Sequence, residues 1–250
     1  MPFRIEILPD EPAMAARAAN DVIDHLKRLL ATQPRALVMF ATGMSQFEFL
    51  RLLVAAPGIA WDRIDMCHLD EYIGLPRDHP ASFHRYLDER LFQHVRLGSR
   101  LMIDGLAADP VAECARLKLA LSGRRIDLAF VGIGENGHLA FNDPPADFET
   151  KEPYIIVELD EPCRRQQVGE GWFPDIASVP SRAITASIGF ILSARRISGC
   201  VPGTRKAQAV KDCLTVPITP LHPASALRRH DETVLYLDRD SASLLPDPQP

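Results

Sequence analysis

The run Ile126 to Val131 is almost continuously apolar and empties into Gly132-Ile133-Gly134-Glu135-Asn136-Gly137-His138. A short apolar run bounded by turn residues is the pattern of a strand buried on both faces. The design recurs where Ala36 to Phe40 enters Ala41-Thr42-Gly43-Met44-Ser45-Gln46, and where Ile197 to Val201 enters Pro202-Gly203-Thr204-Arg205-Lys206. Helical stretches follow the latter two turns, over Phe47 to Val54 and Ala207 to Leu214. Further strands are expected at Phe3 to Leu8, Ile64 to Leu69, Leu101 to Ile103 and Thr233 to Leu237. A long helix carries Met14, Ala18, Val22, Leu26 and Leu30 on one stripe; Asp10 can cap it, and Pro34 stops it. Alternating strands and helices predict an α/β fold: a doubly wound, mainly parallel, Rossmann-like sheet with helices on both faces and right-handed crossovers.

No linker interrupts the 250 residues, so residues 1–250 are read as a single domain. Apolar residues make up 46%, enough for a core, and a net charge of −5 argues against a general nucleic-acid surface. A small anionic substrate is compatible with that charge, because a pocket can be locally positive. The five cysteines are odd in number and form no C-x-x-C, which suggests neither a disulfide framework nor a zinc ribbon. Free thiols fit a reducing compartment, and the expected location is cytoplasmic. No run approaches membrane-spanning length, and no signal-peptide pattern opens the chain. The Pro-rich tail 246–250 is expected to fray.

Three places carry candidate chemistry. His138, on a glycine-rich loop at the C-terminal end of a strand, lies where open α/β sheets bind ligands, with Asp143 five residues on. Asp70-Glu71-Tyr72 ends the strand from Ile64; it offers two adjacent carboxylates, a candidate acid/base pair or, alternatively, a helix cap. The turn at Thr42, Gly43 and Ser45 leads into a helix, an arrangement suited to anions. Ser82 can cap a helix through Phe92, and Asp109-Pro110 opens one carrying Val111, Cys114, Leu117 and Leu121. The weakly periodic segment 144–180, with Tyr154 to Leu159 a candidate strand inside it, reads as a lid or covering segment.

In this order the motifs resemble the glucosamine-6-phosphate deaminase/isomerase family along almost the whole chain. The resemblance rests on Leu69-Asp70-Glu71-Tyr72, Gly74 to Ser82, Gly132-Ile133-Gly134, Asn136-Gly137-His138, Phe141-Asn142 and Lys206-Ala207. It implies a phosphosugar substrate, no cofactor and no metal, with no nucleic-acid or membrane partner; assembly into a homo-oligomer is left open. It also implies that Asp70 moves a proton between C2 and C1 of the opened sugar, and that His138 opens the pyranose ring. Asn136 and Asp143 stand where the family places acidic neighbours of that histidine. Thr42, Gly43, Ser45, Gly137 and Lys206 are the implied substrate and phosphate contacts. The chemistry is consistent with the residue types, because a carboxylate can abstract a C2 proton and an unperturbed imidazole titrates at ~6.5.

The chain departs from the resemblance in several places, among them the turn at Gly43-Met44-Ser45-Gln46, where the family usually has Gly-Gly-Thr-Pro. Members carry an arginine before an aromatic–Phe pair, whereas here Gly171 precedes Trp172-Phe173; Arg164, Arg165 and Arg205 are the cations at hand to replace it. The Ser/Arg-rich allosteric stretch of some members is not recognisable in Asp147 to Pro153. The expected activity is aldose–ketose isomerisation and deamination of an amino-sugar phosphate, glucosamine-6-phosphate to fructose-6-phosphate plus ammonia. Two alternatives stand beside it: a hydrolase like the 6-phosphogluconolactonases, and a non-catalytic sugar-phosphate sensor. The sensor reading expects a helix-turn-helix, for which the sequence before the strand at Phe3 leaves no room.

Overall fold

The computed structural model describes residues 3–246, so the expected fraying tail lies, apart from Pro246, outside the described residues. In chain order come β1 (Arg4–Leu8), α1 (Glu11–Thr32), β2 (Ala36–Phe40), α2 (Phe47–Ala55), β3 (Ile64–His68) and β4 (Asp70–Tyr72). Next are α3 (Phe83–Leu87), β5 (Ser99–Leu101), α4 (Pro110–Ala120), β6 (Leu128–Val131), β7 (Tyr154–Glu158) and α5 (Glu161–Gly169). The chain closes with β8 (Arg182–Ala186), α6 (Ile188–Leu192), β9 (Ile197–Val201), α7 (Ala207–Thr215) and β10 (Thr233–Asp238).

Seven strands form one sheet in the order β1-β10-β9-β6-β2-β3-β5, and every pairing in it is parallel. From β2 the chain builds outward through β3 to β5. It then returns to lay β6 against the other side of β2 and builds the opposite way through β9 and β10. The order therefore reverses between β2 and β6, which opens a crevice beyond their C-terminal ends. All residues of β2, β3, β6, β9 and β10 are buried, as a sheet covered on both faces requires.

α1 forms as its stripe predicts. Met14, Ala18, Val22, Leu26 and Leu30 are buried, the larger ones contributing about 1.5–3 kcal/mol each. Asp10 Oδ1 accepts the Ala13 N–H at 2.8 Å and caps the helix. In α4 the expected apolar stripe fails at Val111, which is 67% exposed, while Leu117 is fully buried.

A second, three-stranded antiparallel sheet, β4-β8-β7, branches from the end of β3. Leu69 is the junction. Its N–H donates to Phe40 O in the main sheet at 3.0 Å, and its carbonyl accepts from Ala186 N–H in β8 at 2.6 Å. Asp70 is the next residue. Segment 144–180 contributes β7 to this sheet, close to the strand expected at Tyr154 to Leu159, and then forms α5, whose residues Gln166 and Gln167 line the site cavity. A separate apolar cluster of Tyr72, Phe141, Cys163, Phe173 and Ala183 packs there.

Candidate active site

A cavity of about 690 Å³ opens at the C-terminal ends of the central strands. Asp70 and His138 both line it, from β4 and from the loop after β6. Thr42, Gly43 and Ser45 line it from the turn after β2, and Gly203 to Lys206 from the turn after β9. These two turns are built alike. In each, a glycine with positive φ, +133° at Gly43 and +91° at Gly203, releases the strand into one 3₁₀ turn and then a helix. Gln46 ties the central strand ends together. Its buried amide donates to Ser45 Oγ at 3.0 Å and lies 3.4 and 3.5 Å from the carbonyls of Cys200 and Val131.

The carboxylate of Asp70 is buried, with Thr42 Oγ1 at 3.4 Å. Loss of water, and secondarily the charge of Glu71, push its pKa up to about 8. Glu71 does not share the cavity. It accepts the backbone N–H groups of Tyr72, Phe83 and His84 at 2.9, 3.3 and 3.0 Å and the Ser82 hydroxyl at 3.3 Å. The adjacent acids are thus not a pair acting on one ligand. Glu71 supplies the start of α3 with the acceptor that Ser82 was expected to provide, and Ser82 makes no side-chain cap bond to the helix. Burial pushes Glu71 up to about 7 in spite of these donors.

His138 is 8% exposed and packs directly on Gly134. A Cβ there would fall 2.2 Å from the ring, so only glycine leaves room for the imidazole. Next to it, Ala140 takes φ of 53°, unusual for a residue with a side chain, and also lines the cavity. Asn142 pins this strained turn by donating to Leu139 O and Ala186 O at 2.7 and 2.9 Å.

Behind the ring, away from the cavity, His138 Nδ1 lies 3.2 Å from Asp143 Oδ1, without the alignment of a hydrogen bond. Asn136 Oδ1 accepts the His138 backbone N–H at 3.1 Å, and its amide donates to Asp143 Oδ1 at 3.0 Å. The same amide reaches both oxygens of Asp160 at 3.3 and 3.4 Å. Burial acts to raise the Asp143 carboxyl, but His138, Asn136 and the Asp160 N–H together hold it below its ordinary value. Asn136 and Asp143 therefore support the histidine from the rear rather than facing the ligand space. Gly137, an implied substrate contact, does not line the cavity either. It turns the loop, and its carbonyl accepts the Ala224 N–H at 3.0 Å.

Sequence reasoning missed Asp160, whose signal was the Asp-Glu-Pro start of α5; its Oδ1 caps that helix on the Cys163 N–H at 2.6 Å. It also missed the wall made by Gln166, Gln167, Glu170 and Trp172. Gln166 Oε1 accepts the Glu135 N–H at 2.9 Å, which docks the histidine loop onto α5.

The three candidate replacement arginines separate clearly. Arg164 donates to the carbonyls of Ile176 and Val179, and Arg165 pairs with Glu161 on the surface. Arg205 lines the cavity, bound to Glu135 at 2.7 Å and half exposed. Lys206 lines it too; burial lowers its ammonium, while Glu170 and Glu135 act the other way.

No helix among the described residues is long and apolar enough to cross a membrane.

Residues 9–236 match the family described as glucosamine-6-phosphate isomerases/6-phosphogluconolactonase. Glucosamine-6-phosphate deaminase of Exiguobacterium sibiricum is 35% identical over 241 residues, 93% of this chain and 91% of that protein. Glucosamine-6-phosphate deaminase 1 of Bacillus subtilis is 36% identical over 93% of this chain and 94% of its own. Among solved structures, a monomeric glucosamine-6-phosphate deaminase superposes with a TM-score of 0.87 at 33% identity, covering 96% of this chain and 99% of that one. A 6-phosphogluconolactonase from Thermotoga maritima shares the fold, with a TM-score of 0.78 at 19% identity over 94% of this chain and 99% of that one.

Proposed function

The chain belongs to the glucosamine-6-phosphate isomerase/6-phosphogluconolactonase family, and we propose that it isomerises and deaminates glucosamine-6-phosphate, giving fructose-6-phosphate and ammonia. The observation that carries this reading is a buried carboxylate, Asp70, and an imidazole, His138, on the walls of one cavity whose rim holds two anion-suited turns.

His138 donates a proton to O5 as the pyranose opens, while the C1 hydroxyl loses its proton to solvent and O1 regains one as the enolamine forms. Asp70, as carboxylate, removes the proton from C2 and returns it to C1, converting the amino-aldehyde to a ketimine through an enolamine. Water adds to the ketimine carbon and ammonia leaves. Asp143 and Asn136 orient the imidazole and stabilise its protonated form. Ser45, Thr42, the N–H groups of the two turns and Lys206 hold the phosphate. Arg205 exchanges Glu135 for the phosphate when substrate enters, in place of the cation missing at Gly171.

Lys206→Ala and Arg205→Ala test the phosphate end. Each removes a charge-assisted hydrogen bond, so KM should rise roughly 10–100-fold with a smaller effect on kcat. An Arg205→Ala enzyme with unaltered KM would leave that residue to its pair with Glu135. Separate assays of ammonia release from glucosamine-6-phosphate and of 6-phosphogluconolactone hydrolysis decide between the deaminase and lactonase readings.

A further inference from the structure

Behind His138, beside the Asp143 that orients it, lies a thiol that the proposed reaction does not use. Cys163, 1% exposed in the first turn of α5, brings its thiol beside the His138–Asp143 contact. One ligand atom from each of these three residues lies within 4.8 Å of the other two. They come from three segments: the glycine-rich loop, the turn after it and α5. Two further details bear on the group. His138 Nδ1 is buried and meets Asp143 Oδ1 at 3.2 Å, off the line of a well-aligned hydrogen bond. That distance matches the edge of a tetrahedron whose metal–nitrogen and metal–oxygen bonds are about 2.0–2.1 Å, which is about 3.3 Å. Asp160, sharing the Asn136 amide with Asp143, is next to the group.

We propose that His138 Nδ1, Asp143 and the Cys163 thiolate form an inhibitory site for a thiophilic divalent ion of the zinc class, with water or Asp160 as fourth ligand. Nitrogen, thiolate and one carboxylate are the donors such an ion selects over magnesium or calcium. Binding replaces the thiol proton, which is released to solvent; the imidazole contributes a lone pair and the carboxylate its existing charge. Burial, with Asp143 and Asp160 adding to it, raises the Cys163 thiol well above its ordinary value. The ion therefore competes with a tightly held proton, and binding tightens as pH rises.

The consequence for turnover follows from which nitrogen is used. With the ion on Nδ1, the ring keeps its hydrogen on Nε2, facing the cavity, and can no longer cycle a proton there. Substrate still fits. The ion should lower kcat and leave KM nearly unchanged. The site itself stands on the geometry alone, whereas this kinetic effect rests on the role given to His138 above.

The test is a titration of the untagged, chelator-treated protein with Co²⁺ and Zn²⁺. A stoichiometric thiolate-to-cobalt charge-transfer band and tetrahedral visible absorption are expected, displaced by Zn²⁺ and strengthening with pH. Cys163→Ser and Cys163→Ala should lose the band, lower Zn²⁺ affinity at least ~100-fold, and retain wild-type turnover that Zn²⁺ no longer depresses. Absence of the band from the wild-type protein overturns the site, whatever the variants do. So does a band that persists in a folded Cys163 variant, which would assign it to another thiol. Should no hexosamine phosphate be turned over, the band still decides the site. A band accompanied by a pure KM effect would retain the ion and overturn the proton-cycling account.

Discussion

At the scale of single residues, the proposed chemistry rests on how two side chains are surrounded. Asp70 has almost no donors to stabilise its charge, and its pKa is pushed up to about 8. A base must be ionised to work, so kcat/KM should climb as pH rises toward that value; a profile already flat at pH 6 would contradict the assignment. The same group weighs on stability. Its folded pKa is raised, so both states are neutral below ~4, the unfolded value, and the cost of burying the acid grows with pH from there to about 8. Asp70→Asn removes that cost. Turnover should fall by roughly 10²–10⁴-fold, ligand binding should persist, and the melting temperature should exceed wild type more at pH 8 than at pH 4. That Asp70 and His138 stand at strand ends beside one cavity was legible from residue type and position. Gly137, an expected substrate contact, lies outside the cavity lining; a glycine that turns a loop and one that faces a ligand look alike in sequence.

At the scale of elements, the start of α3 is the part most altered by seeing the structure. Glu71, not Ser82, receives the N–H groups of that turn, and it does so from β4, a strand of the second sheet. Capping by a residue eleven or more positions away leaves no local pattern, whereas Asp10 on α1 and Asp109 on α4 cap within their own turns and were readable. Glu71→Ala should leave three N–H groups, one buried and two half-buried, without their acceptor and cost on the order of 2 kcal/mol, a fall of several degrees in melting temperature. Glu71→Gln keeps the shape and removes the charge that raises Asp70. The rising limb of the pH–rate profile should then move to lower pH, and a limb that stays in place would show that the two carboxylates do not feel each other. The segment 144–180 was legible only in part. β7 has a strand-like run, but α5 is rich in polar residues that face the cavity or the histidine loop, such as Gln166 and Gln167, and its apolar periodicity is correspondingly weak.

At the scale of the whole molecule, the site is a product of topology. The reversal of strand order between β2 and β6 brings together turns that are distant in the chain, after Phe40 and after Val131, and the turn after β9 completes the rim. The parallel sheet was readable because its central strands are unbroken apolar runs with glycine at their exits. The second sheet was not, because β4 is only three residues long and holds Asp-Glu-Tyr, a composition no strand rule selects. That sheet nonetheless carries Asp70 to the cavity. The central claim is that Asp70 and His138 act together on an amino-sugar phosphate. Its most direct test is incubation with glucosamine-6-phosphate while ammonia release and deuterium uptake at C1 from D₂O are followed together by NMR. The account predicts fructose-6-phosphate and stoichiometric ammonia from the wild-type protein, and neither product nor C2 proton loss from Asp70→Asn. Ammonia release at wild-type rate by Asp70→Asn, or none from any hexosamine phosphate by the wild-type protein, would contradict it.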